Sequence, residues 1–271
     1  MTVADTDRTW SDADLASAVR DHFRVEVVAT GHLAARGHVH VTDRGIMIGV
    51  GHRLVFNRAT ALDLEQFDLT MSEVSAFFGR VDHTLWIEAS VETDDTQALM
   101  KERGYLPLPM VHGMATTSLP DRAAHDDDGG HAVLLADPSL AATIAAVSVS
   151  GFGLGTDDRM LFEDLARAVL RHARPWDHGA IYGVYSPAND LVAVGSLLCT
   201  PDAAGITGLA TLPDHRHLGH ATAITLRALH DAAALGYDLG VTMATPDSEP
   251  AMRALGFRPV IDYHVYRWIG P

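Results

Sequence analysis

The clearest pattern of hydrophobic and polar positions lies in the C-terminal half of the chain. Apolar residues spaced three and four apart predict helices over residues 140–149, 160–171 and 220–235. Apolar runs bounded by turn residues predict strands over 180–185, 191–200, 206–212 and 239–245. A short helix over 247–255 then precedes one or two strands over 259–268. This order predicts an α+β or α/β fold with a mixed sheet flanked by helices.

The N-terminal half shows a fainter pattern of the same mixed type. Ser11 and Asp14 have the spacing of a helix cap, and four apolar residues follow on one helical face: Leu15, Ala18, Val19 and Phe23. Short apolar runs predict strands over 25–29, 38–41, 45–49 and 85–91. Helices are predicted over 72–78 and 96–103.

A polar segment divides these two halves. Residues 119–131 read LPDRAAHDDDGGH, with three consecutive aspartates, two glycines and almost no apolar content. Such a composition is typical of a linker. We therefore predict an N-terminal domain over 1–120, a linker over 121–130 and a C-terminal domain over 131–271.

The two halves also resemble each other. When Gly104 is set against Gly256, an offset of 152, Pro107 falls on Pro259 and His112 falls on His264. A strand, a short helix, a Gly-aromatic pair and a final strand thus occur twice in the same order. This agreement predicts an internal duplication.

Composition and charge limit the kinds of partner and the cellular location expected for this chain. Its formal net charge of −15 disfavours nucleic acid and suits an amine-bearing partner. Hydrophobic residues make up 47% of the chain, but no apolar run is long enough to span a bilayer. Cys199 is the only cysteine, so no intrachain disulfide can form, and a cytoplasmic location is expected. The sequence is also compatible with a homodimer.

One segment of the C-terminal half carries candidate chemistry. Residues 206–222 read ITGLATLPDHRHLGHAT: an apolar strand, a turn at Pro213, and the start of an amphipathic helix near His220. The first N–H groups of such a helix have no intrahelical acceptor, and the helix dipole is positive there. Gly219 has no Cβ, so a ligand can approach the backbone closely. The segment is therefore a candidate anion site.

This segment resembles the pyrophosphate loop of the GNAT superfamily of N-acyltransferases, written Gln/Arg-x-x-Gly-x-Gly/Ala. Arg216, Gly219 and Ala221 stand at its defined positions, and the later elements follow the superfamily order over residues 131–271. The resemblance implies a GNAT-like sheet in two tandem units and acetyl-CoA, or another acyl-CoA, as co-substrate, with no metal. It assigns CoA binding to Leu209, Ala210, Thr211, Arg216, His217, Leu218, Gly219, His220, Ala221 and Thr222.

The same offset leads to a different loop in the N-terminal half. Gly219 and Ala221 fall on Phe67 and Leu69, in a segment without glycine. Bulky side chains would block a phosphate there. The N-terminal domain is therefore expected to be a degenerate GNAT-like unit that covers the sheet and walls the acceptor pocket.

Two positions depart from the superfamily pattern. Many members protonate the leaving thiolate with a tyrosine four residues before the Gly-Phe glycine, where this chain has Met252. Many also have a glutamate on the strand before the phosphate loop, where residues 205–212 contain no acid. Tyr263, His264 and Tyr266 on the last strand are the candidate proton donors, and His264 and Tyr266 are the predicted catalytic residues. The alternative for each is a structural role as a half-buried strand residue.

Two functions follow from these residues, and the acceptor and acyl chain stay open. The first is an N-acetyltransferase that acts on an amine of a small molecule or peptide. The alternative is a non-catalytic acyl-CoA-binding or sensing protein, which stays open because methionine at position 252 cannot donate a proton. A metal site is not expected at His215, His217 and His220, because their side chains diverge across a turn and a helix start.

Overall fold

A computed structural model describes residues 9–34, 36–50, 56–120, 131–171 and 179–270. Its helices are α1 (Asp12–Leu33), α2 (Phe67–Phe78), α3 (Asp94–Glu102), α4 (Ala141–Gly151), α5 (Arg159–Leu170), α6 (His220–Ala234) and α7 (Glu249–Ala254). Its strands are β1 (His38–Thr42), β2 (Gly45–Gly49), β3 (Arg58–Thr60), β4 (Thr84–Glu88), β5 (Tyr105–Thr116), β6 (Ala132–Leu135), β7 (Ala180–Tyr185), β8 (Leu191–Cys199), β9 (Ala204–Thr211), β10 (Gly240–Ala244) and β11 (Arg258–Trp268).

All these strands join one mixed sheet with the order β1-β2-β3-β4-β11-β5-β10-β9-β8-β7-β6. Most neighbours are antiparallel, but β3 is parallel to β4 and β9 is parallel to β10. The predicted fold class, a mixed sheet flanked by helices, is confirmed.

Helices cover both faces of this sheet, because successive side chains of its strands point to opposite faces and apolar residues occur on both. Met114 packs in the cluster beneath α6, while its neighbour Ala115 packs against α1. In the same way, Ala193 faces α6 and Val194 faces α4 and α5. Helices α1, α4 and α5 therefore lie on one face, and α2, α3, α6 and α7 lie on the other.

The first helix is longer than its sequence pattern predicts. Ser11 and Asp14 form the expected capping box, but α1 continues to Leu33. The strand predicted over 25–29 is therefore wrong. This segment has three β-branched valines, which favour a strand, yet the buried stripe continues through Val27 at helical spacing. Packing against the sheet decides the helix here, over a weak local β preference.

The last strands of the two halves are exchanged between the halves. Strand β5 from the N-terminal half lies beside β10, and β11 from the C-terminal half lies beside β4. The two exchanged strands also pair with each other, Arg258 with Ala115 and Arg267 with Leu106. The repeat offset of 152 relates Leu106 to Arg258 and Ala115 to Arg267. Each of the two pairs across β5 and β11 is therefore the counterpart of the other under the repeat. The duplication thus appears in the structure as a pseudo-twofold axis between β5 and β11.

We call β1–β4 with β11 the N-terminal unit, and β6–β10 with β5 the C-terminal unit. The predicted linker, residues 121–130, lies outside the described residues, so the domain boundary stays a prediction. Within the described part of the chain, no helix is long and apolar enough to cross a membrane.

Candidate functional site

The loop with the candidate anion site lies between β9 and α6. Residues Pro213–His215 form a 3-10 turn, and α6 begins at His220. His217 and Gly219 have φ angles of 62° and 78°, and Gly219 lies directly before the helix. A Cβ built on Gly219 meets none of the described atoms within 4 Å. The helix N-terminus therefore opens onto free space, as an anion-binding loop requires.

Arg216 joins this loop to the other face of the sheet. Its Nη2 donates to the carbonyl oxygen of Gly151 at the end of α4, at 2.7 Å. Gly151 in turn lies close to β9, since a Cβ built there would be 2.9 Å from the backbone nitrogen of Thr211. The C-terminus of α4, strand β9 and the loop thus form one connected group.

Strands β9 and β10 diverge beside the loop. They pair only over Ala204–Gly240, Gly205–Val241 and Ile206–Thr242. Beyond that point β9 continues from Thr207 to Thr211 with partners on β8 alone, and the end of β10 pairs with β5 alone. Between Ser196 and Val194 the β8 pairing also shifts register, where Gly208 has a φ of 65°. This bulge bends β9 away from β10.

The first helix packs against this divergence through His22. A Cβ built on Gly205 would lie 2.0 Å from two atoms of the His22 ring, so only glycine permits this contact. The ring Nε2 lies 3.0 Å from the carbonyl oxygen of Leu198, which can only accept, so Nε2 carries the proton. Burial lowers the pKa of His22, and the nearby Glu26 carboxylate opposes that shift.

Glu26, one helical turn after His22, contacts β9 at the point where β9 separates from β10. The hydroxyl of Thr207 donates to Glu26 Oε1 at 2.9 Å. Thr207 is the first residue of β9 beyond its pairing with β10. Arg58 also interacts electrostatically with Glu26, and its guanidinium sits 4.9 Å from the ring centre of Trp86. Burial lowers the pKa of Arg58, and Glu26 opposes this shift as well. A carboxylate from the N-terminal half therefore stands where β9 and β10 separate.

A cavity of about 160 Å³ adjoins this carboxylate. It lies between α1, α4, α5 and the sheet face of β7, β8 and β9. Its walls are mainly apolar, and Phe162 and Phe56 contribute a pair of rings whose centres are 5.2 Å apart. Of the described residues that line it, Glu26 alone is ionisable.

No protein-family model and no curated protein matches the sequence. Solved structures do match. A GCN5-related N-acetyltransferase from Kribbella flavida superposes with a TM-score of 0.68 over 95% of this chain and 96% of that one, at 14% identity. A second, from Sphaerobacter thermophilus, gives 0.60 over 97% and 95% at 14% identity. A tandem GNAT protein from the clavulanic acid biosynthesis pathway gives 0.56 over 86% and 83% at 15% identity.

The chain has a GNAT fold. These likenesses extend over both units, which agrees with the duplicated sheet and the exchanged strands. The predicted resemblance to GNAT proteins is confirmed at the level of the fold.

The GNAT fold is altered in the N-terminal unit, at the helix that corresponds to α6. Helix α2 begins at Phe67, and its N-cap residue Gln66 makes no side-chain capping bond. The guanidinium of Arg103 lies 5.2 Å from the Phe67 ring centre and donates to Asp68 at 2.5 Å. An ion pair and an aromatic ring therefore lie at the helix start that corresponds to the open loop of the C-terminal unit.

The two predicted catalytic residues lie in the N-terminal unit of the GNAT fold. The hydroxyl of Tyr266 donates to Glu92 Oε1 at 2.6 Å, and His264 Nδ1 bonds the other oxygen of the same carboxylate. Burial and this carboxylate raise the pKa of Tyr266. Strand β5 separates their strand from β10. At about 4.8 Å per strand spacing, they lie roughly 10 Å from the line of β10. Tyr263 is buried against α1, beside Phe23.

The exchange of strands brings a different histidine to β10. His112 on β5 pairs with Ala244 at the end of β10, and it is the residue that the 152 offset relates to His264. Its Nδ1 lies 2.6 Å from Asp262, and its Nε2 lies 3.5 Å from Glu249 at the start of α7. Sequence order alone assigned β11 to the C-terminal unit, so it placed His264 rather than His112 beside β10.

Met252 is part of the core of the C-terminal unit. Its side chain is buried with Ala244 and Phe257. Among the described residues, no group of three or more histidine, cysteine, aspartate or glutamate side chains is arranged to hold a metal. The rings of His215 and His220 lie 6.4 Å apart beside the loop.

Proposed function

We propose that this chain is an acyl-CoA-dependent N-acyltransferase, with acetyl as the expected acyl group and an amine of a small molecule or peptide as the acceptor. The observation that carries the proposal is the divergence of β9 from β10 directly beside an open helix N-terminus. Unpaired strand edges can bind an extended ligand by backbone hydrogen bonds, and a helix N-terminus suits a pyrophosphate. A pantetheine arm joined to a pyrophosphate has both features.

In this proposal the pyrophosphate of CoA lies on residues 216–222, and the pantetheine arm follows Leu209, Ala210 and Thr211. A backbone N–H of β9 stabilises the oxyanion that develops on the thioester carbonyl. Arg216 is anchored to Gly151 by one of its terminal nitrogens and adds positive charge beside the loop. The likeness of the fold to GNAT acetyltransferases supports this arrangement.

For the leaving thiolate we propose His112 as the proton donor in place of His264 and Tyr266. Its place beside the end of β10 and the start of α7 supports this choice. Two carboxylates hold its ring, at Asp262 and Glu249. A thiol has a pKa near ~8.5, so a thiolate is a tolerable leaving group near neutral pH even when solvent supplies the proton. The contribution of a donor is therefore moderate.

The loop assignment is tested by acetyl-CoA binding to Gly219→Asn, measured by calorimetry. Asparagine tolerates the left-handed backbone of this position, and its side chain would occupy the open space where the phosphates bind. We expect acetyl-CoA to bind at least about tenfold more weakly, which corresponds to about 1.4 kcal/mol.

The matched control is Gly256→Asn. Gly256 has a φ of 85°, and its Cβ would meet Thr116 Oγ1 at an ordinary 3.6 Å, away from the loop. This variant should bind acetyl-CoA as the parent does. Equal binding by the parent and Gly219→Asn would refute the loop assignment.

The buried Met252 supports a second candidate function, a protein that binds acyl-CoA without turnover, because methionine cannot donate a proton. A thiol-release assay with a range of amines separates the two. Release of free CoA that depends on an amine identifies the enzyme. Binding of acetyl-CoA without any such release identifies the sensing protein.

A further inference from the structure

The acceptor side of the strand divergence is built by helix α1 from the other half of the chain. We propose that this side selects a small primary amine with an apolar body, and that Glu26 binds the ammonium group and accepts a proton from it. The inference rests on the proposed acyl transfer and adds to it the class of acceptor and the base.

The size and lining of the cavity indicate that the amine acceptor has an apolar body. Its volume of about 160 Å³ is comparable to the cavity of ~150 Å³ that holds one benzene molecule in an engineered protein. Aromatic and aliphatic side chains from α1, α4 and α5 form its walls, among them Leu33, Ile144, Phe162 and Val169. A single ring or a branched alkyl group fits this space. A chain with several charges would lose its hydration there without compensation.

The charge in the cavity points to the ammonium group. Glu26 is the one ionisable side chain among the described residues of the lining. An ammonium group that enters an apolar cavity needs a partner, since an unpaired buried charge is costly. The overall charge of −15 also attracts cations toward the protein. An acidic acceptor would meet repulsion from the same carboxylate.

The position of Glu26 points to proton transfer. Its Oε1 accepts from Thr207, and this bond places the carboxylate at the start of the unpaired stretch of β9. The His22–Gly205 contact holds the preceding turn of α1 against the same strand. The thioester and the amine would therefore meet beside this carboxylate, with acyl-CoA along the strand edges and the acceptor in the cavity.

A base is needed because an alkylammonium ion has no lone pair. With a pKa of ~10.4, only about one amine in 2,500 is neutral at pH 7. Glu26 takes one proton from the ammonium, and the nitrogen lone pair then forms the C–N bond at the thioester carbon. As the tetrahedral intermediate collapses, the C–S bond breaks, the nitrogen loses its second proton and the thiolate gains one. The net products are an amide, free CoA and one proton.

The experiment compares two acceptors of nearly the same shape, phenethylamine and O-benzylhydroxylamine. The first is an ammonium ion at pH 7, whereas the second is already neutral and needs no base before attack. Glu26→Gln should lower kcat for phenethylamine by about 10²-fold or more, the scale of a lost general base. The same variant should keep kcat for O-benzylhydroxylamine within about threefold of the parent, after subtraction of the uncatalysed rate.

Controls separate this inference from the proposed function. Asp21→Asn makes the same charge change at an exposed site of α1 and should leave both rates unchanged. Glu26→Gln should bind acetyl-CoA as tightly as the parent. Failure of the parent to bind acetyl-CoA would overturn the proposed function. If the parent turns over, the inference is overturned when Glu26→Gln slows both acceptors equally, or neither, or when spermidine or glutamate has a higher kcat/KM than phenethylamine.

Discussion

The contact between His22 and Gly205 offers a sharp test of how the two halves form one site. A Cβ added at Gly205 would lie 2.0 Å from the Cε1 and Nε2 atoms of the His22 ring. An ordinary contact begins at 3.4 Å, so the ring would have to move by about 1.4 Å. His22 is only 5% exposed and has little space to move into.

The cost of Gly205→Ala follows from this geometry. Displacement of the ring breaks its hydrogen bond to Leu198, and a buried polar group left unpaired costs about 1–3 kcal/mol. Overpacking of a filled interior costs a similar amount, although a side-chain tip yields more easily than backbone. We therefore expect Gly205→Ala to lower the free energy of unfolding by about 2–3 kcal/mol.

Urea denaturation of a double-mutant cycle measures this contact. In a His22→Ala background the ring is absent, and the added methyl group should cost less than about 0.5 kcal/mol, which gives a coupling energy near 2 kcal/mol. Gly155→Ala is the matched control, because its Cβ would meet only one atom, at 4.0 Å. An equal loss of stability in both backgrounds would refute the contact. So would a loss below about 0.5 kcal/mol in the parent background.

Three further outcomes are expected. His112→Ala should lower kcat for thiol release by roughly tenfold with little change in KM, whereas His264→Ala should keep kcat within about twofold of the parent. A larger loss of kcat in His264→Ala than in His112→Ala would identify His264 as the donor. Met252→Tyr should lower the unfolding free energy by about 1–3 kcal/mol without raising kcat, because the site is part of the core; a raised kcat would contradict this. Burial lowers the pKa of His83, so at mildly acidic pH the unfolded chain binds a proton at this histidine that the folded chain does not bind. The contribution of His83 to the free energy of unfolding should be complete above pH ~6.5 and should fall below that pH by up to about 1.4 kcal/mol per pH unit. Denaturation of the parent and of His83→Phe at pH 7.5 and 5.5 measures this, and the variant should lose less stability between the two pH values.

Local pattern was sufficient for much of the C-terminal unit. Hydrophobic periodicity placed β7 at its observed bounds and the start of α6 at its observed residue. The strand, the turn and the glycine at 219 together indicated the open helix N-terminus. These features depend on residues close in sequence, and their physical causes are side-chain period, turn chemistry and backbone freedom.

Tertiary structure decided which residues meet at the site. His22 and Glu26 are four residues apart, so a continuous helix places them on one face, but the strand predicted over 25–29 separated Glu26 from the helix that contains His22. His112 and His264 are related by the repeat, and only strand exchange determines which of them stands beside β10. Pairing between distant strands depends on how both halves bury their apolar faces together, and no local sequence pattern encodes that choice.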